Sequence, residues 1–311
     1  MKKVISLTMI LSLILGIHVS FAQKTFKEYV EKNDVEKIKK NVLMDVFTTP
    51  TSNKSFRDGH GKVPYFTSKD QLPKTVGIVT FNISDLGASY SMKTQTHIYT
   101  DFYNVGEEVG NIIANKIHKQ TISALKNEFK KYGVTLLMPE EYLDTPEKKK
   151  AYQEYTAAVS KLGKFLSNVE NRNTDLSVCA NSYRYFDMGA AFDFLRAESL
   201  GYDLASILKV DAVLSIGSLI QTNKKEGFYR SIKMALHGPN PNPKEDKKYI
   251  AQKSGNGYYN GQLYAGSSFS LKKPINFMNY KAQTIEVDGL EVIFAAMIEK
   301  MYDKIGDAIK Q

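Results

Sequence analysis

The chain has one cysteine and no tryptophan. With no second thiol, Cys179 cannot close an internal disulfide, so a disulfide-stapled scaffold is excluded even in an oxidising compartment. No histidine stands near it in the sequence, and we read it as a small apolar interior residue, not a nucleophile. Histidine is also scarce. Beyond the first 22 residues there are His60, His97, His118 and His237, and no two of them share metal-ligand spacing. Gly255-Asn256-Gly257 lacks the Gly-Lys-Ser/Thr of a phosphate loop, and Gly266-Ser267-Ser268 lacks the strand-turn-helix wording of a nucleophile elbow. There is no nucleic-acid motif, no cofactor motif and no metal set, so no cofactor and no nucleic-acid partner is expected. After residue 22 no stretch is long and apolar enough to cross a bilayer as a helix.

What is present begins with an export signal. Lys2 and Lys3 precede the apolar run Val4–Ile17, and Ser20-Phe21-Ala22 sets small residues at the positions a signal peptidase reads. A cleaved signal over residues 1–22 places the protein in the periplasm or outside the cell. Gln23 stands where a lipid-modified cysteine would be, so no lipid anchor is expected. Cleavage removes two lysines and no acids from a formal net charge of +9. The residual positive charge is scattered, with Lys148–Lys150 and Lys247–Lys248 flanked by acids. It makes an anionic surface one conceivable partner.

The body of the chain reads as α/β with an α+β tendency. The expected architecture is a mixed sheet of about five strands packed by amphipathic helices, with an extra helical segment at the amino-terminal end. Residues 24–48 carry a helical stripe through Phe26, Tyr29, Val30, Ile38 and Val42, and a turn-rich linker runs on to residue 73. Residues 74–311 then form a single α/β domain. Lys74–Ile83 and Asp211–Gln221 are apolar enough to be strands buried on both faces. Between them, Val105–Phe129 has the three-and-four spacing of a long helix, Gly133 ends it in the left-handed conformation, and Val134–Met138 is a short strand. That order is a strand–helix–strand unit with a right-handed crossover if the strands are parallel. Asp85–Asp101 is a long loop with one short strand near His97–Thr100. Residues 140–200 hold a helical insertion, with helices over 146–170 and around 189–199. Phe228–Leu236 and Tyr258–Leu271 alternate as strands extending the sheet, with Phe228, Arg230, Ile232, Met234 and Leu236 on one face. An amphipathic helix over 287–309 closes the chain.

Lys74–Phe81 (KTVGIVTF), Phe129–Leu136 (FKKYGVTL) and Leu204–Ser218 (LASILKVDAVLSIGS) resemble a small α/β domain of bacterial envelope proteins. It is shared by the amino-terminal domain of the Tol-system propeller protein, the curli secretion-pore subunit and the outer-membrane activator of penicillin-binding proteins. Val210–Ser218 follows that group's helix-to-strand pattern with one extra residue before Gly217, and the lipid-attachment cysteine is missing. The resemblance implies a non-enzymatic Gram-negative envelope module that binds other proteins or associates with itself. Asp211 and Gly217 match its positions and are read as structural.

Two functions stay open. The first is a protein-binding or assembly module using a sheet edge and an aromatic face, for which Tyr229, Tyr258, Tyr259 and Tyr264 are the candidate residues. The second is a periplasmic hydrolase with a small His/Asp site drawn from Asp58, His60, His97 and Asp101.

Overall fold

The computed structural model describes residues 25–45, 66, 68–93, 97–157, 176–186, 199–239 and 261–309. Two apolar runs form its spine. Strands β2 (Thr75–Asp85) and β7 (Ala212–Thr222) lie parallel, with Val76 opposite Ala212 and Asp85 opposite Ile220. Nearly every residue of both is buried because packed segments cover both faces, which leaves no face on which a polar alternation would help. Neighbouring residues divide between the layers. Leu214 and Ile216 join a core with Phe129, Phe294 and Met297, whereas Val213 joins a second one with Tyr142, Tyr152 and Leu208.

The fold is mixed α/β, as the sequence predicts, with an eight-stranded sheet and a separate two-stranded one. The main path runs β1-β9-β8-β7-β2-β5. Strands β1 (Val42–Asp45), β8 (Glu226–Pro239) and β9 (Gly261–Asn279) extend it antiparallel on one side of β7. On the other side of β2 lie β5 (Thr135–Leu137), parallel, and β6 (Leu176–Cys179), antiparallel. A two-residue strand, β10 (Thr284–Ile285), returns onto β9. The long helix α3 (Glu107–Lys131) and the last helix α7 (Leu290–Ile309) pack on one face. Short helices α4 (Pro139–Tyr142), α5 (Pro146–Glu154) and α6 (Ala205–Leu208) pack on the other. The expected turn after α3 is present, with Gly133 at φ 74°.

Asp211 explains why β2 and β7 start in register. Its Oδ2 accepts from the backbone N–H of Lys74 and of Thr75 at 2.9 and 2.8 Å, and Thr75 Oγ1 accepts from the Asp211 N–H at 3.1 Å. At the other end of β2, Asp85 is buried and takes four donors. Oδ1 accepts from the N–H of Gly87 and of Thr222 at 2.9 and 2.8 Å, while Oδ2 accepts from the Val105 N–H at 2.9 Å and from the Thr222 hydroxyl. In the middle, β2 slips register against β7 between Ile78 and Thr80. Two buried tyrosine hydroxyls donate to the carbonyls there, Tyr142 to Ile78 at 2.8 Å and Tyr152 to Val79 at 2.6 Å. Burial pushes the Tyr152 phenol up to about 12, so the hydroxyl stays a donor.

Three expectations are corrected in detail. The amino-terminal helical segment is two helices, α1 (Phe26–Lys32) and α2 (Val35–Asn41), because Asn33 closes the first and the Asp34 carboxylate caps the second at Lys37 N. It does not stand apart: α2 packs on α7, and β1 continues directly into the sheet edge. The region after Asp85 is an antiparallel hairpin of β3 (Ala88–Lys93) and β4 (Ile98–Tyr103), longer than the single short strand expected there. In β8 the strict alternation fails. The ladders to β7 and β9 both skip Arg230, so Tyr229 points into the same core as Ile232, Met234 and Leu236. The helix expected over 146–170 ends at Glu154, where Tyr155 turns extended, and residues 158–170 and most of 189–199 lie outside the described residues.

Candidate functional site

At the end of the sheet where Asp85 sits, the β3–β4 hairpin rises beside the β7–β8 turn. Its base is fastened. Tyr103 stands edge-on to Tyr280 at 6.3 Å, the Tyr90 hydroxyl accepts from Lys224 N at 3.3 Å, and Lys224 Nζ lies 5.1 Å from the centre of the Tyr90 ring. Beyond the base the ribbon is bare on both faces. Met92 is 65% exposed, Ile98 68%, Tyr99 55% and Phe102 53%. Met92 and Tyr99 are cross-strand partners on one face, while Ile98 and Phe102 stand on the other. A two-stranded ribbon cannot bury such side chains by itself, so together they form an apolar surface without cover among the described residues.

Between the hairpin base and the sheet is a cavity of about 380 Å³, with Ala88 and Tyr90 on one wall, Gln221, Asn223 and Phe228 on another, and Arg230 and Pro274 completing it. Arg230 reaches it because the strand bulges there. On the β7 side Leu219 faces Ser231 and Ile220 faces Tyr229; on the β9 side Ser231 faces Ser270 but Tyr229 faces Ile275. The bulge leaves Arg230 out of both ladders and turns its side chain off the core face. The guanidinium donates from Nη2 to Gln221 Oε1, and Gln221 Nε2 donates in turn to the Gly87 carbonyl at 3.3 Å. Arg230 Nε is sealed from solvent with no acceptor among the described residues. A buried N–H left so costs about 1–3 kcal/mol.

Of the aromatic residues chosen from the sequence, the two that are described lie elsewhere. Tyr229 is in the interior, donating to Ser218 Oγ at 2.5 Å and standing edge-on to Phe26. Tyr264 is buried beneath Gly238, edge-on to Phe66, with its hydroxyl donating to the Pro239 carbonyl. Burial raises both phenols. Tyr258 and Tyr259 lie outside the described residues. Among the described residues the exposed aromatics are instead Tyr90, Tyr99 and Phe102 of the hairpin, with Tyr185 and Tyr202 elsewhere.

Of the hydrolase candidates, His97 and Asp101 are exposed on the hairpin, and Asp58 and His60 lie outside the described residues. Among the described residues no three His, Cys, Asp or Glu side chains converge on a metal position, and no helix is long and apolar enough to cross a membrane. His118, half-buried, exchanges a hydrogen bond with the Tyr183 hydroxyl at 3.0 Å, and burial lowers its pKa. Burial pushes the Cys179 thiol up to about 11, which suits a structural thiol.

One signal for Arg230 was legible in the sequence. A charged residue in the series Phe228, Arg230, Ile232, Met234, Leu236 contradicts an apolar face, and a bulge resolves the contradiction. The hairpin surface had a weaker signal, since its strands mix serine and threonine with the exposed apolar residues. Comparison of the chain with protein-family models, with curated proteins and with solved structures finds no match.

Proposed function

We propose that this is an exported, non-enzymatic cell-envelope protein that works by binding another protein or a second copy of itself, with the β3–β4 hairpin as its contact element. The observation that carries this reading is the group Met92, Ile98, Tyr99 and Phe102, each more than half exposed on a ribbon whose base is fixed. Large apolar side chains grouped on a protruding element mark interaction surfaces in soluble proteins. The sheet edge is the weaker candidate, because β1 has four residues and β5 three, and short edge strands template little pairing. The signal-like first 22 residues and the resemblance to envelope modules support the location. No convergence of acid, base and nucleophile among the described residues favours the hydrolase.

A photo-reactive amino acid placed at Tyr99 in the native host tests this. The expected result is a discrete protein adduct, either a dimer of the chain or one other envelope protein, that is lost when Phe102 and Ile98 are both changed to serine. Only lipid adducts, or none, would overturn the assignment.

A further inference from the structure

We propose that the cavity at Arg230 is a binding site for a small monoanionic carboxylate with an apolar body. Guanidinium groups present their N–H donors in a fixed fork that matches a carboxylate. Here Arg230 lines the cavity, and its bond from Nη2 to Gln221 fixes the guanidinium against the wall. The acids nearby are engaged elsewhere or absent from the cavity. Both oxygens of Asp85 are filled by backbone and Thr222 donors, Glu226 accepts from Asn276, and Asp101, opposite Tyr90, is exposed and not part of the lining. None of the ion pairs among the described residues involves Arg230. The guanidinium therefore has no ion-pair partner among the described residues.

The walls set the class of ligand. Phe228, Pro274 and the Tyr90 ring supply apolar contact, and Gln221 and Asn223 supply neutral polar groups. About 380 Å³ is the low end of the range for small-molecule sites. Lys224, on the adjoining turn, lies over the Tyr90 ring and is not part of the lining. One lining cation with apolar walls matches a single negative charge carried on a hydrocarbon body, whereas phosphate would need more charge and more donors. The bulge is what makes the site: a regular β8 would have driven Arg230 into the core.

The test is calorimetric titration of the chain purified after export with sodium 4-phenylbutyrate, and separately with inorganic phosphate, at fixed ionic strength. Wild type is compared with Arg230→Met and with Ala88→Leu, which fills the cavity and leaves the guanidinium in place. We expect saturable one-site binding of the carboxylate, weakened about tenfold or more by Arg230→Met, weakened also by Ala88→Leu, and no saturable heat with phosphate. Arg230→Met should melt close to the wild-type temperature, since Gln221 Oε1, which loses the guanidinium donor, is half-buried and can accept from water instead. A large drop in melting temperature would make Arg230 a framework residue and overturn the proposal. So would equal binding by wild type and Arg230→Met, absence of carboxylate binding, or a preference for phosphate. The site is independent of the hairpin contact: Arg230→Met should leave the Tyr99 adduct unchanged, so each assignment can fail alone.

Discussion

A single buried carboxylate, Asp85, ties the end of β2 to its own following turn, to the start of α3 and to the end of β7. Asp85→Ala leaves three backbone N–H groups without their acceptor, so it should cost about 3 kcal/mol in urea unfolding. Asp211→Ala removes acceptors at an exposed strand start, where water replaces them, and should cost about 1 kcal/mol in the same measurement. Cys179 gives a chemical prediction with a definite sign. With the thiol raised to about 11 from a usual 9.0, the folded chain holds its proton where the unfolded chain has begun to lose it. This contribution to stability is complete below pH 9 and is lost as the pH rises toward 11. At pH 8 the native thiol carries about a hundredfold less thiolate than the unfolded one, so iodoacetamide should label it correspondingly slowly until denaturant is added. These roles differ in how far they can be read from the chain. Asp85-Leu86-Gly87 has the wording of a turn closed by an aspartate side chain, and Asp211 precedes an apolar run. Which distant N–H groups the carboxylates also serve depends on strands that meet only in three dimensions.

Elements divide by how regular they are. The central strands were legible because burial on both faces concentrates consecutive apolar residues, as in Val76–Val79 and Ala212–Leu214, and the long helix because its stripe persists over 25 residues. The split near Asn33 was harder to see, since the apolar stripe runs through it and the Asp34 cap interrupts only the backbone. Asp34→Ala should cost about 1 kcal/mol, seen as a lower melting temperature. In β8 one extra residue reverses the face of everything before it, and periodicity alone cannot locate such a slip. Gly238 gives this region a steric test. A Cβ there would lie 2.2 Å from the Tyr264 ring, so Gly238→Ala should be strongly destabilising, and Tyr264→Ala in the same chain should recover part of the loss. The hairpin should behave in the opposite way. Ile98→Ser with Phe102→Ser should shift the folding free energy by less than about 0.5 kcal/mol, because more than half of each residue is exposed to solvent.

In the whole molecule, the first described elements are built into the last. Phe26 stands against Tyr229, Ile38 and Val42 belong to the main core, and Lys39 bridges to Glu299 and Asp303 of α7 at 2.8 Å each. Removing residues up to Asp45 should therefore expose the β9 edge and yield an aggregating chain, checked by light scattering and by loss of a single cooperative melt. The sequence reading set this segment apart because its helical stripe does not reveal what it packs on. The same arrangement bears on biosynthesis. Lys39 and Glu299 are 260 residues apart, so the ion pairs that tie α2 to α7 wait until the last helix has been made. A segment whose cover is made last stays open to solvent, and to other chains, for most of its own synthesis.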